Sequence, residues 1–208
     1  MRLDKVQAVS VLYREATLAT TENVSADWVK IVEQFSESCQ GASKTHIAFL
    51  DTAMLAKAVS LQVDVFAVKA GAEGPGAFSA RGLGHGVLVP HATELGINLG
   101  VTGREPLNNQ PYFRISRVSR DIPVHSNAKP IINMLCDILD RLALIQTERE
   151  AREALRSFIY VRRNYQPKYL EIAASEANIS SEQLVSVIET FVQENSEVAS
   201  LLRQLSQV

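Results

Sequence analysis

The side chains best suited to recognising another molecule cluster in Gly103-Arg104-Glu105-Pro106-Leu107-Asn108-Asn109-Gln110-Pro111-Tyr112-Phe113-Arg114, with Ser79-Ala80-Arg81 upstream. Arginine, asparagine and glutamine are the residues that make paired hydrogen bonds to guanine and adenine edges. Arg104, Asn108, Asn109 and Gln110 are therefore candidate base readers, and Arg81 and Arg114 candidate phosphate contacts. His85 joins them, because it stands among glycines that let a backbone approach a ligand closely. The competing reading is a structural loop whose amides cap helices.

Chemistry that would cut a nucleic acid is missing from the pattern. A common nuclease centre uses an acid followed by an Asp/Glu-x-Lys triplet, whose carboxylates hold a divalent metal. No Asp or Glu of this chain has a lysine two positions later, and Glu150-Ala151-Arg152 is the nearest approach. His85 and His91 are six apart, which is not the i,i+4 spacing of a helical metal pair. His125 and Asn127 leave a histidine-asparagine nuclease site conceivable as a minor alternative, packing or a polar contact being the default reading. Gly82-Leu83-Gly84-His85-Gly86 lacks the dinucleotide-binding spacing, and Gly74-Pro75-Gly76 is followed by no Gly-Lys-Ser/Thr. Neither a catalytic residue nor a metal ligand is expected.

Charge is uneven along the chain. The net formal charge is -2, yet residues 69–120 carry six Lys and Arg against three Asp and Glu. Five of those six cations are arginine, whose planar fork suits phosphate and guanine alike. Nine of the ten glycines fall between Gly71 and Gly103. The two cysteines, Cys39 and Cys136, read as separate buried thiols in a reducing, cytoplasmic setting. No run of about 18 apolar residues is present, so no membrane helix is expected.

The elements that must position these groups are helical. Val6, Val9, Leu12, Tyr13 and Ala16 recur at helical spacing between Asp4 and Thr20. Ser25 predicts the N-cap of a second helix ending by Gly41, and a third runs through Ile47, Leu50, Leu55 and Val59. Val63–Ala70 fits either a short strand or a short helix. Ser79–Leu95 reads as a helix with Leu83, Val87 and Leu88 inward, despite three glycines and Pro90. Gly103–Pro111 is a polar loop, and Tyr112–Val118 is predicted as a short strand or extended arm. Further helices follow from Pro130, from Thr147 to Tyr165, from Pro167, after the Ser180/Gln183 capping box, and from about Ser196. The fold class expected is mainly α: a helical bundle-like domain with a Gly-rich centre and a polar recognition loop. It spans 1–208, with 1–120 and 121–208 as a possible sub-division.

The segment from Gly76-Ala77-Phe78-Ser79-Ala80-Arg81 through Leu95–Arg114 resembles the N-terminal half of SacI-family restriction endonucleases, most sharply over about 45 residues and more loosely along the whole chain. That resemblance implies a type II enzyme of a restriction-modification system, a magnesium-dependent hydrolase cutting double-stranded DNA at short specific sequences. It also implies that the metal-binding acids and the lysine lie in a separate nuclease domain, absent from this chain. No cofactor is then expected here, magnesium being needed only by the full-length endonuclease. Double-stranded DNA and a second copy of the chain are the expected partners. The alternative is a helical dimerisation or docking module of a nuclease system that reads no bases itself.

Overall fold

A helix that is apolar or small on every side must be covered on every side. Helix α3 (Thr45–Val59) is such a segment, and every residue from His46 to Ala58 is buried. Around it pack α1 (Lys5–Leu18), α7 (Lys129–Ala143) and α8 (Glu148–Asn164), with α2 (Ala26–Ser38) lying against α7 and α8. Phe35, Phe49, Phe78 and Phe158 supply much of the core volume. The computed structural model describes residues 1–72, 74–101, 103, 105–108, 110–165, 175 and 177–194.

Side-chain caps hold the helices at their starts, at Ser25 as predicted. Ser25 Oγ accepts from the N–H of Trp28 at 3.4 Å, and Thr147 Oγ1 accepts from Glu150 at 3.2 Å. Each satisfies an amide that the first helical turn leaves unpaired. Asp4 does the same for Val6, at 2.9 Å. The chain forms two compact units, Met1–Tyr165 and Gln166–Val208. Residues on both sides of position 120 pack within the first unit. In the second, α9 (Ser181–Glu194) begins at the predicted capping box. Gln183 Oε1 accepts from the Ser180 N–H at 2.8 Å, and Ser180 Oγ accepts from the Gln183 N–H at 3.2 Å. The helices expected from Pro167 and from Ser196 lie outside the described residues.

The fold is mainly α, with no strand among the described residues. Val63–Ala70 forms neither strand nor helix. One antiparallel bridge joins Ala67 to Arg117, while the Phe78 and Ala80 amides bond to the Ala67 and Val68 carbonyls. Gly76 sits at φ +87° where its backbone crosses this segment. A Cβ there would lie 2.3 Å from the Gln62 carbonyl oxygen, so no side chain fits.

Tyr112–Val118 corrects the expectation of an extended arm. Tyr112–Ile115 is a single helical turn, α6, which Ser116 ends in the left-handed conformation. Its aromatic pair explains the difference. Helical spacing lets Tyr112 and Phe113 both turn inward onto Phe49, at ring-centre distances of 4.6 and 6.2 Å. A strand would have sent these neighbours to opposite faces.

The helix predicted over Ser79–Leu95 is present in three joined pieces: α4 (Ala80–Leu83), a π-helical turn (Gly84–Leu88) and α5 (Val89–Ala92). The Val89 N–H reaches five residues back to the Gly84 carbonyl. Pro90 follows directly, with no N–H to continue an ordinary α-helical ladder. Leu83, Val87 and Leu88 are buried as the periodicity predicts.

Candidate nucleic-acid interface

The polar loop is clasped by the helical segment below it. The Arg81 guanidinium donates through Nε to the Leu107 carbonyl at 3.3 Å and through Nη2 to the Asn108 carbonyl at 2.8 Å. Its centre also lies 4.5 Å from the Phe113 ring centre, adding a cation–π contact. One helical turn along, His85 Nε2 accepts the Leu107 N–H at 3.1 Å. That bond requires an unprotonated Nε2. Burial pushes the His85 pKa down, with Glu105 raising it and Arg81 lowering it, and burial dominates. Leu107 then drops its side chain into the core above Gly84, where a Cβ would meet Leu107 Cδ1 at 2.3 Å and Thr52 Oγ1 at 2.9 Å.

The predicted recognition residues separate into four groups. Arg81 and His85 are loop anchors, so Arg81 uses two of its donors on backbone carbonyls. Asn108 is exposed on the loop, its Nδ2 donating to Glu105 Oε2. Arg114 is exposed on α6, and its guanidinium has no hydrogen-bond or ion-pair partner among the described residues. Arg104 and Asn109 lie outside the described residues. Gln110 is placed differently from the sequence expectation of a base reader. It is 2% exposed, and its Nε2 donates to the carbonyls of Thr45 at 3.2 Å and Pro106 at 2.8 Å. Both hydrogens of that amide are therefore committed inside the protein, closing the end of the loop against the start of α3.

Sequence reasoning missed the supports beneath these residues. Leu107 and Phe113 carry the loop yet look like ordinary apolar residues in the chain. Their only sequence signal is that they interrupt an otherwise polar run. Tyr112 is fully buried, with its hydroxyl 3.2 Å from His46 Nδ1. Burial raises the Tyr112 pKa well above the phenol range and lowers that of His46 to about 4. His46 is accordingly neutral at physiological pH.

Among the described residues, no three His, Cys, Asp or Glu side chains come together as a possible metal site. The described residues thus form no carboxylate set that would hold magnesium. His91 instead meets Tyr13, with Nδ1 3.0 Å from the hydroxyl, while that hydroxyl also donates to Glu94 at 2.7 Å. Cys39 and Cys136 are buried and unbridged, as their positions predicted. No helix of the described residues is long and apolar enough to cross a membrane.

Comparison with known proteins accounts for the first unit almost residue for residue. The family model described as the SacI restriction endonuclease N-terminal domain matches residues 7–164. The chain is also similar to the type II restriction enzyme SacI of Streptomyces achromogenes, at 35% identity over 160 residues, covering 76% of this chain. That match spans 43% of the relative's own length. The chain therefore belongs to the family of SacI restriction endonuclease N-terminal domains.

Proposed function

We propose that this chain is the DNA-binding, sequence-recognising region of a type II restriction endonuclease. One observation carries the reading: the loop backbone at Leu107 and Asn108 is held from beneath, while Glu105 and Asn108 stand exposed. Arg81, His85 and the buried Leu107 fix its backbone, while Asn108 faces solvent. Base reading needs donors and acceptors held in a defined place, because a paired contact is lost with small displacements. Arg104 and Asn109, neighbours in the same loop, are assigned to base edges with Asn108. Arg114 is assigned to a phosphate. Gln110 is left out of the reading set, since its amide is turned inward.

Double-stranded DNA is the partner of this reading, in a cytoplasmic setting. A two-fold homodimer would present the loop twice to a palindromic site. Cleavage, with its magnesium, is assigned to carboxylates outside residues 1–208. Support comes from the lack of an Asp/Glu-x-Lys triplet in the sequence.

The test begins by selecting a preferred duplex from a random pool and sequencing it. Arg104→Ala, Asn108→Ala and Asn109→Ala should then each weaken binding to that duplex by about 1–3 kcal/mol relative to random DNA. Variants that select and bind DNA as the parent does would show that the loop is structural.

A further inference from the structure

Beside the loop lies a cavity of about 760 Å³, within the roughly 300–1,000 Å³ common for ligand pockets. Its lining joins three parts of the chain: residues from Ala42 to His46 leading into α3 (Lys44 apart), Gln110, Pro111 and Arg114 at α6, and His125 with its neighbours Pro123 and Val124 before α7. The charged or titratable side chains among the lining residues are Arg114, His46 and His125. No carboxylate lines it among the described residues. This differs from its two nearest exposed arginines along the chain, Arg117 and Arg120, which are paired with Asp64 and with Asp137 and Asp140. Arg114 has no such neutralising partner, and its exposed head stands at the wall of a concave site together with the exposed His125.

We propose that this cavity holds a phosphodiester of the DNA backbone, gripped by Arg114 and His125. The inference rests on the DNA-binding reading above and deepens its assignment of Arg114 to a phosphate by naming the cavity that seats it and His125 as a second grip. Arginine offers two parallel donors to phosphate oxygens, and an exposed histidine in the same lining adds a third. His46 is neutral and held by Tyr112, so it shapes the floor without adding charge. Gln110 and Pro111 end the recognition loop and also line the cavity. A strand seated there would thus run directly into the loop, with the phosphate contact fixing the position from which bases are read.

The test uses the intact 208-residue chain and three probes: inorganic phosphate, a phosphodiester dinucleotide, and duplex DNA. The His125 ring resonances and the Arg114 Nε–H resonance should move saturably with dinucleotide. Arg114→Ala should weaken that response at least tenfold, with Arg114→Lys recovering part of it. On duplexes, Arg114→Ala should lower affinity about tenfold at 0.1 M salt for preferred and random sequences alike. It should also reduce the salt slope by about one, as loss of one phosphate contact requires. Unmoved His125 and Arg114 resonances, or a response to inorganic phosphate but not to dinucleotide, would overturn the proposal. A dinucleotide response in a chain that binds no duplex would leave the site standing and remove the DNA-reading assignment. Unchanged thermal unfolding of Arg114→Ala should accompany these results, since the side chain is exposed.

Discussion

His85 Nε2 accepts the backbone N–H of Leu107 at 3.1 Å, across 22 residues of sequence. The loop is thus tied to its supporting helix through main chain, not through the polar side chains that mark it in the sequence. Arg81 adds two more ties of the same kind. The Gly-rich centre and the polar loop are one construction.

For Arg81 this changes what substitution should do. A residue serving only as a phosphate contact would, when removed, weaken all duplexes equally and lower the salt slope by about one. Arg81→Ala should instead relax selectivity, leave the slope unchanged, and speed hydrogen exchange at the Leu107 and Asn108 amides. Arg81→Lys should restore little, because lysine lacks the fork that reaches both carbonyls. A flattened slope with selectivity intact would return Arg81 to the phosphate role.

Gly84 supports the loop by having no side chain. Alanine at an α-helical position gains up to about 1 kcal/mol over glycine, whereas overpacking costs typically 1–3 kcal/mol. The contact distances of 2.3 and 2.9 Å, both to buried neighbours, decide for overpacking. Gly84→Ala should therefore destabilise by about 1–2 kcal/mol in urea unfolding. Leu107→Ala alone should cost about 2–5 kcal/mol by leaving a cavity. The double variant should cost less than the sum, because removing Leu107 removes the clash. Simple additivity would show that the two residues do not share this space.

Asp51 stands fully buried on α3, and neither carboxylate oxygen has a hydrogen-bond partner among the described residues. Burial pushes its pKa up from 3.8 to about 8, partly opposed by Arg162. A carboxyl that holds its proton more tightly when folded contributes stability fully present below pH 4. That contribution is lost as pH rises toward and through about 8. Asp51→Asn keeps the shape and removes the titration. Its stability relative to the parent should grow steadily between pH 5 and pH 9. Parallel stability curves over that interval would place the titration elsewhere.

Much of the fold can be read from the sequence because its signals are local. The caps at Ser25, Thr147 and Ser180 sit within three residues of the amides they serve, and the apolar stripes repeat within single helices. Tyr112–Val118 was misread because neighbouring aromatic residues look like strand, and only Phe49, far away in sequence, decides otherwise. The inward turn of Gln110 escapes the sequence for the same reason: its acceptors include the Thr45 carbonyl, 65 positions earlier. A polar residue in a polar loop carries no mark that its amide faces inward. The location of the loop was legible, and the division of labour among its residues was not.

Magnesium offers a direct check on the separation of reading from cutting. The purified chain should leave plasmid DNA uncut in its presence, since no carboxylate of the sequence has a lysine two positions later. Site-specific cutting lost on changing His85 or Asp121 would show that a catalytic centre had been overlooked.

The packing of α8 against α1, α2 and α3 also sets the timing of folding during synthesis. The ribosome must add the 88 residues between Val59 and Glu148 before α8 begins to exist. At about 5–20 residues per second, that interval lasts on the order of 5–20 s. Throughout it, the nascent first three helices expose the apolar faces that α8 will cover. Early fragments of this chain are therefore natural clients for chaperones, and truncations before residue 148 should aggregate instead of folding to a smaller domain.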